Sequence, residues 1–300
     1  MEISVLILLL KLLMKHIFIF QCALSSSSPF SSSSKTNNNA DMFALLAIKS
    51  KIQLPSNGPI LSSWNPSNTS FCNWVGVSCS LLYQRVSALN MSYMNIHGTI
   101  SPHIGNLSFL RTLKLGSNSF RVQQLGRYHS LLCLQYLNLK VIALSYNGIS
   151  RGIPNDMYRM LPKLEILYLS VNPLGGHIPA SLCLCRNLKE LELRENGLIG
   201  SIPTHIGCFS EIEYLSIPIN QLTGTIPISL GNLSKLEFLD LSENNLSGTI
   251  QSSPALAFLS LVESIFVPIN SMVEFQILPL MLQCSQSWNY LIIPSVDLCP

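Results

Sequence analysis

Charged residues are scarce in this sequence, and no contiguous run of Lys and Arg occurs. Lys, Arg, Asp and Glu together make up 11% of the 300 residues, and the formal net charge is +3. Because nonspecific binding to nucleic acid depends on clustered cationic side chains, this composition excludes that class of partner. Hydrophobic residues make up 48% of the chain, which is enough to bury a large core.

The residue clusters of catalytic and metal sites are also missing. Six histidines, at positions 16, 97, 103, 129, 177 and 205, do not cluster with carboxylates or cysteines, which disfavours a metal site or a catalytic triad. No Gly-rich phosphate loop and no VAIK, HRD or DFG element of a protein kinase occurs. The sequence therefore predicts a protein without catalytic residues, cofactor or metal.

The N-terminal part of the chain, up to Ala40, has the composition of a secretory leader followed by a linker. Apolar runs, the flanking Lys11 and Lys15, and small residues near Ala23 predict a signal peptide over residues 1–25. The alternative is an N-terminal membrane anchor, which requires about 20 unbroken apolar residues. Residues 26–40 are rich in Ser and Asn, and we predict a low-complexity linker there because so little apolar surface cannot offset the entropy of ordering.

The cysteines and sequons fit an oxidising, secretory compartment. Cys72 and Cys79 are closely spaced and form the natural disulfide pair. Six further cysteines show no obvious pairing: Cys133, Cys183, Cys185, Cys208, Cys284 and Cys299. The candidate glycosylation sites are Asn68, Asn90, Asn106, Asn232 and Asn245.

A repeat occupies the middle of the chain. The stretches 161–179, 186–203, 210–227 and 234–250 share the frame LxxLxLxxNxLxGxIP, and their starting residues Leu164, Leu188, Ile212 and Leu236 are equally spaced. Weaker copies start at Val86, Leu110 and Leu139. The stretch 120–139 is irregular, and we interpret it as a repeat that has lost its middle, with a local bulge as the expected consequence.

The frame itself predicts stacked coils. Alternating leucines indicate a short strand with one buried face. The recurring asparagine is expected to bond exposed backbone groups of neighbouring coils, and Gly and Pro to return the chain. By repeat register, Cys185 is predicted to be a small buried hydrophobic residue. The asparagines concerned are Asn118, Asn147, Asn172, Asn196, Asn220 and Asn244.

These features resemble the leucine-rich repeat, in its plant extracellular form. The GxIP elements at 176–179, 200–203 and 224–227 carry the resemblance, and ALLAIKS, SSWN and CNWVGVSC resemble the N-terminal cap of plant receptor-like kinases and receptor-like proteins. The resemblance implies an α/β repeat fold. It would comprise a small helical cap over residues 41–80 and a right-handed curved solenoid over residues 86–250, with a parallel sheet on its concave face.

The solvent side of the strands is the expected ligand face. Within it, Glu190, Glu192, Tyr214, Phe238 and Asp240 form an acidic and aromatic patch suited to a ligand with a basic segment. The full set of candidates is Arg111, Lys114, Tyr146, Tyr168, Glu190, Glu192, Arg194, Tyr214, Ser216, Phe238, Asp240 and Glu243.

The resemblance implies a secreted or cell-surface protein that recognises a peptide or protein ligand, with a co-receptor of the same repeat class as a further partner. The signalling relatives would carry transmembrane and kinase parts that this chain lacks. Two alternatives stay open. One is a secreted inhibitor similar to polygalacturonase-inhibiting proteins, and the other is a receptor fragment, from a decayed or wrongly assigned gene, with no independent function.

The repeat ends at Ile250, where Gln251 replaces the expected proline. Residues 251–300 are apolar but off register, and Glu263, Pro268, Glu274 and Pro279 interrupt every candidate membrane span. We expect either that residues 255–262 fold over the last coil as a cap, or that the codons after Ile250 belong to an intron or a shifted frame.

Overall fold

The computed structural model describes residues 37–56, 58–67, 70–121, 138–248 and 265–266. It contains short helices on one side of stacked coils and strands on the other. The α-helices are α1 (Asn37–Lys49), α2 (Pro59–Ser63) and α3 (Met157–Met160). The 3₁₀ helices span Phe71–Asn73, Pro102–Asn106, Ala180–Leu184, Ile206–Cys208 and Ile228–Asn232.

Among the residues that the structure describes, three sheets run through the coils. The main sheet has nine strands in the order β15-β13-β11-β9-β8-β7-β5-β3-β2, and every pair in it is parallel except β2 with β3. Its strands are β2 (Val77–Cys79), β3 (Val86–Asn90), β5 (Thr112–Lys114), β7 (Val141–Ala143), β8 (Ile166–Tyr168), β9 (Glu190–Glu192), β11 (Tyr214–Ser216), β13 (Phe238–Asp240) and β15 (Ile265–Phe266). Two lateral sheets have the orders β1-β4-β6 and β10-β12-β14. Their strands are β1 (Ile52–Gln53), β4 (His97–Thr99), β6 (Ser119–Arg121), β10 (Ile199–Ser201), β12 (Gln221–Gly224) and β14 (Asn245–Leu246).

The main sheet stays in register across the irregular stretch. Thr112 of β5 pairs with Val141 of β7, and Val141 pairs with Ile166 of β8. The chain is longer between Thr112 and Val141 than between Val141 and Ile166, and the steps from Ile166 to Glu190, Tyr214 and Phe238 are equal. The additional residues therefore lie in the connection, since β5 and β7 are direct neighbours. Residues 122–137, which include most of the predicted bulge, lie outside the described residues.

The core lies behind the main sheet. The central residue of each of the parallel strands β5, β7, β8, β9, β11 and β13 is buried, and Leu113, Ile142, Leu167, Leu191 and Leu215 are all 0% exposed. A fully buried side chain of this kind contributes about 1.5–3 kcal/mol relative to an exposed one. One such residue in each coil, packed on its neighbours, holds the stack together.

The predicted asparagine ladder is present. Asn220 Nδ2 donates to the carbonyls of Leu193, Ile217 and Pro218, while its Oδ1 accepts from the backbone N–H groups of Asn196 and Leu198. Each buried amide thus bonds its own coil and the preceding one. Asn118, Asn147, Asn172 and Asn244 make the same type of contact.

The ladder and the lateral sheet are interrupted at one coil. In the coils of Asn118, Asn147 and Asn220, the residue after the ladder asparagine donates its N–H to the preceding coil, as Gln221 does to the Leu198 carbonyl at 2.8 Å. Pro173 occupies this position after Asn172 and has no N–H to donate. Asn196 Oδ1 in the next coil is buried without a partner. The missing proline N–H accounts for the break in the lateral sheet. The ladder Oδ1 of the other coils accepts from the second residue after the preceding asparagine, as Asn220 Oδ1 does from the Leu198 N–H, and the corresponding N–H of Leu174 donates to the Asn172 carbonyl at 2.9 Å instead.

The cap is held by a buried ion pair and two tryptophans. Arg85 Nε and Nη2 donate to the Asp41 carboxylate at 2.8 and 2.7 Å, and the Val86 N–H donates to the same carboxylate at 2.8 Å. Trp64 stacks on Trp74 at 5.7 Å between ring centroids. Because the Asp41 carboxylate reaches the start of β3, these contacts fix the cap to the first coil.

One predicted boundary differs from the structure. Helix α1 begins at Asn37, so residues 37–40 of the predicted linker 26–40 belong to the helix. Asparagine is favoured around helix N-termini because its side chain bonds free backbone N–H groups, and the composition argument does not detect such a local effect. The predicted signal peptide and the rest of the linker lie outside the described residues.

The described residues form two disulfides. One joins Cys72 to Cys79, and the other joins Cys183 to Cys208, which lie about one repeat apart. Spacing within the period is the signal that would have identified the second pair. Cys185 is a free, buried thiol, as the repeat register predicted, and burial raises its pKa to about 11.

The end of the repeat is described only in part. The buried residues Leu239, Leu241 and Leu246 belong to the last regular coil. Ile265 and Phe266 pair in parallel with Leu239 and Asp240. Most of the predicted tail 251–300, including the proposed cap at 255–262, lies outside the described residues. Within the part that is described, no helix has the length and apolarity needed to cross a bilayer.

Candidate ligand-binding face

The outward face of the main sheet is built from two positions on each strand. They flank the buried central residue, because successive side chains on a strand point to opposite sides. Strand register aligns these positions from coil to coil, so that Glu190, Tyr214 and Phe238 form one row and Glu192, Ser216 and Asp240 the next. We call this surface the sheet face.

An acidic and aromatic cluster lies on β9, β11 and β13. We call Glu190, Glu192, Tyr214, Phe238 and Asp240 the acid–aromatic patch. The rings of Tyr214 and Phe238 stack in parallel, with 4.4 Å between centroids and 5° between planes, and all five side chains are half-buried. The structure therefore brings together the five residues that the sequence grouped.

Two tyrosine hydroxyls are drawn into this cluster. Tyr168 Oη donates to Glu190 Oε2. Burial, together with this hydrogen bond and the charge of Glu190, raises the pKa of Tyr168 well above its ordinary value. Burial also raises the pKa of Tyr214, although a hydrogen bond with Ser216 opposes the shift. Both phenols are thus held in the neutral, hydrogen-bonding form.

Comparison with known families matches both the cap and the repeats. The leucine-rich-repeat N-terminal domain matches residues 38–80, and the leucine-rich repeat matches residues 163–185, 187–209 and 235–256. Among curated proteins, the LRR receptor-like serine/threonine-protein kinase EFR of Arabidopsis thaliana is 46% identical over 98 residues, which are 32% of this chain and 9% of that protein. The alignments span a tenth or less of the first curated relatives.

Solved structures of plant receptor ectodomains share the fold. The Arabidopsis thaliana GASSHO1/SCHENGEN3 ectodomain, in complex with CASPARIAN STRIP INTEGRITY FACTOR 2, has a TM-score of 0.64 and 28% identity, covering 80% of this chain and 27% of that one. The Arabidopsis receptor kinase HAESA, in complex with the peptide hormone IDA and the co-receptor SERK1, has a TM-score of 0.61 and 28% identity, covering 79% and 42%. This chain has a leucine-rich-repeat solenoid of the plant receptor-kinase type.

The remaining predicted residues of the repeat domain are spread over the sheet face and its edge. Arg111, Lys114, Tyr146, Arg194 and Glu243 are exposed. Arg111 and Lys114 belong to the coil of β5, four strand spacings from β11, which amounts to about 19 Å. They are not part of the patch. Ser216 holds an outward position on β11 but is only 4% exposed, so it supports Tyr214 and offers no contact surface of its own.

The repeat domain also carries a row of residues of which the sequence analysis singled out two, Tyr146 and Glu243. One position in each coil, directly before the ladder position, has a left-handed φ of about 51–59°, which is rare for residues other than glycine. Glu195 in this row is exposed and adds to the acidic surface. The repeat spacing would have found it. The row consists of Tyr93, Ser117, Tyr146, Val171, Glu195, Ile219 and Glu243.

Charge is divided between the two halves of the repeat domain. Residues 86–155 contain six Lys or Arg and no Asp or Glu, whereas residues 156–250 contain six Lys or Arg and ten Asp or Glu. The formal charges are therefore +6 and −4. The acid–aromatic patch lies in the second half, and the coils of β3, β5 and β7 lie in the first.

The candidate glycosylation sites lie on several surfaces. Asn90 is in an outward position of β3, Asn106 and Asn232 end 3₁₀ helices, and Asn245 begins β14. All four are exposed, and Asn68 lies outside the described residues. None of these sequons falls within the acid–aromatic patch, so glycans at these positions would leave its residues unmodified.

Proposed function

We propose that this protein is an extracellular, non-catalytic recognition protein that binds a peptide or protein ligand with a basic segment through the acid–aromatic patch. The observation that carries the proposal is the stacked pair Tyr214 and Phe238, flanked in register by Glu190, Glu192 and Asp240. Aromatic faces attract cations, and the flanking carboxylates supply opposite charge. Lysine or arginine side chains satisfy both groups at once.

The electrostatics of the patch favour a cationic partner. Within the described part of the chain, Glu190, Glu192 and Asp240 form no ion pair. Asp240 Oδ1 accepts from the Ser242 N–H and Glu190 accepts from Tyr168, which fixes both carboxylates in place. A preorganised pair of carboxylates loses little conformational entropy when a ligand binds.

The related structures support a role in ligand binding. The HAESA structure contains the peptide hormone IDA and the co-receptor SERK1, and the GASSHO1/SCHENGEN3 structure contains CASPARIAN STRIP INTEGRITY FACTOR 2. By analogy, we propose that this chain binds a peptide or small protein at the cell surface or in the extracellular space, and that a second repeat protein joins the complex. The repeat fold alone sets no ligand identity, so the proposal depends on the chemistry of the patch.

The test uses the secreted chain and a synthetic peptide with two Arg-Lys pairs in a Gly/Ser background, with an acidic peptide of the same length as the negative probe. We expect the basic peptide to bind and the double variant Tyr214→Ala/Asp240→Asn to lose at least about tenfold in affinity, since each good contact contributes on the order of 1 kcal/mol. Tyr83→Ala/Asp156→Asn is the matched control, because it removes an exposed tyrosine and an aspartate elsewhere. Unchanged affinity of the first variant would refute the proposal.

A further inference from the structure

An open groove of about 350 Å³ lies beside the sheet face, at the level of β5, β7 and β8. Its lining belongs to the coil segments that follow these three strands. The groove is therefore next to the sheet face, and six of its seven lining residues belong to the half of the repeat domain that contains no acidic residue. The lining residues are Asn118, Ser119, Arg121, Tyr146, Asn147, Gly148 and Val171.

The groove leaves few polar groups for a ligand. The amides of Asn118 and Asn147 are consumed by the backbone bonds of the ladder, such as Asn147 Nδ2 to the Leu144 carbonyl at 3.0 Å. Arg121 and Tyr146 are exposed, and among the described residues the Arg121 guanidinium forms no ion pair. One guanidinium beside one phenol is a donor set that suits an anionic oxygen group.

Gly148 makes room for the arginine. A Cβ at this position would lie 3.2 Å from Arg121 Cγ and 3.3 Å from the Phe120 carbonyl oxygen. Gly148 is not among the glycines with a positive φ, so its backbone conformation does not require glycine. The Arg121 side chain thus packs against backbone at Gly148, where no side chain intervenes. This contact places the arginine along the wall of the groove.

We propose that this groove, which we call the Arg121 groove, binds a carboxylate of the same ligand whose basic segment lies on the acid–aromatic patch. The ligand would then be dipolar, matching the +6 and −4 halves of the repeat domain. This inference rests on the proposed function. The carboxylate can come from an acidic side chain or from a C-terminus, since both present the same group to the guanidinium.

Strand geometry sets the spacing between the two ligand groups. From β7 to β11 there are three strand spacings, about 14 Å, and the groove lies about 10 Å farther along the strand direction. The separation of about 17 Å corresponds to about four to six residues of extended peptide. A ligand with a basic pair and a carboxylate at that distance contacts both surfaces.

The experiment compares the affinities of four Gly/Ser-rich synthetic peptides for the secreted chain. Each peptide is made twice, with its charged groups in the forward and in the reversed order along the sequence. One has an Arg-Lys pair only and a C-terminal amide. A second adds Glu five residues away, a third ends in a free carboxylate at that distance, and a fourth has only the acid. We expect the second or third peptide to bind at least about fivefold more tightly than the first, as one added charge pair of about 1 kcal/mol implies.

Variants assign this advantage to the groove. Arg121→Gln should abolish the advantage of the added carboxylate and leave the affinity of the basic-only peptide unchanged, and Gly148→Ala should reduce the advantage by displacing the arginine. Arg186→Gln is the control, because it removes an exposed cation from another surface. Equal urea midpoints for all variants establish that each folds.

The outcomes separate this inference from the proposed function. The groove assignment is overturned if the added carboxylate does not increase affinity for the wild type, or if it still increases affinity for Arg121→Gln. In both cases the affinity of the basic-only peptide still tests the acid–aromatic patch. Failure of the basic-only peptide refutes the proposed function. In that case the acid-only peptide tests the groove by itself. Equal affinity of this peptide for the wild type and for Arg121→Gln overturns the proposal that the groove binds a carboxylate.

Discussion

The interior of the coils and the sheet face differ in how they use the repeat. Inside, the same residue types recur at the same positions, and each asparagine or leucine makes the same contacts in almost every coil. On the sheet face the aligned residues change from strand to strand, from Thr112 through Val141 and Ile166 to Glu190 and Tyr214. Repetition therefore determines the fold, and departure from repetition determines which partner the surface suits.

The largest effect should come from breaking the interior ladder. Asn220→Leu keeps a similar side-chain volume but removes five hydrogen bonds and leaves the N–H groups of Asn196 and Leu198 unpaired. Each orphaned buried group costs about 1–3 kcal/mol, so we expect a loss of about 2–6 kcal/mol in the free energy of unfolding. Urea denaturation measures it.

The control for the ladder is an asparagine outside it. Asn232 is exposed at the end of a 3₁₀ helix, and Asn232→Leu should change stability by no more than about 0.5 kcal/mol in protein made without glycans. Equal losses for the two variants would mean that the ladder adds nothing beyond packing.

The buried ion pair of the cap should rank next. Asp41→Ala leaves the guanidinium of Arg85, which is 9% exposed, without its carboxylate. An unpaired buried charge costs about 3–5 kcal/mol. The exposed pair Lys235 and Glu211 is the comparison, because Glu211→Ala should cost about 0–1 kcal/mol. Thermal unfolding of both variants measures the two losses of stability. Equal shifts of the two unfolding midpoints would contradict the prediction that the buried ion pair contributes more than the exposed one.

Much of this interior could be predicted from the sequence, because leucine and asparagine recur at a fixed spacing. The break at Asn196 could not, since it depends on the Leu174 N–H, which donates to the Asn172 carbonyl within the preceding coil and leaves Asn196 Oδ1 without a partner. The acid–aromatic patch was predictable because its members occupy equivalent positions in adjacent repeats. The Arg121 groove was not, because Arg121 lies on the lateral strand β6, outside the positions that the frame of the main strands specifies.

Two neighbouring residues on β11 allow the stability contributions of the interior and of the sheet face to be compared within one strand. Leu215 is 0% exposed, while Tyr214 points outward and stacks on Phe238. We expect Leu215→Ala to cost about 2–5 kcal/mol. Tyr214→Ala should cost about 0.5–1.5 kcal/mol, the range for an aromatic pair, while weakening ligand binding. Urea midpoints in the same buffer give the comparison, and a larger loss for Tyr214→Ala would contradict it.

The smallest effect concerns the protonation of Tyr168 on the sheet face. Its pKa is raised by burial and by Glu190, which accepts its proton in a hydrogen bond. Glu190→Gln removes the negative charge, so the pKa of Tyr168 should fall toward its ordinary value of about 10. Ultraviolet titration of tyrosinate, with Tyr168→Phe to assign the signal, measures the shift.

The raised pKa of Tyr168 also predicts the direction in which stability changes with pH. Because the folded-state pKa of Tyr168 is raised, its contribution is complete below the ordinary tyrosine pKa of about 10 and is lost as pH rises through the folded value. Wild type should therefore lose stability at alkaline pH more than Tyr168→Phe does. Tyr146, which is 56% exposed, provides the control, since Tyr146→Phe should follow the wild-type profile. A profile of Tyr168→Phe that coincides with wild type would show that the hydrogen bond to Glu190 does not hold this phenol neutral.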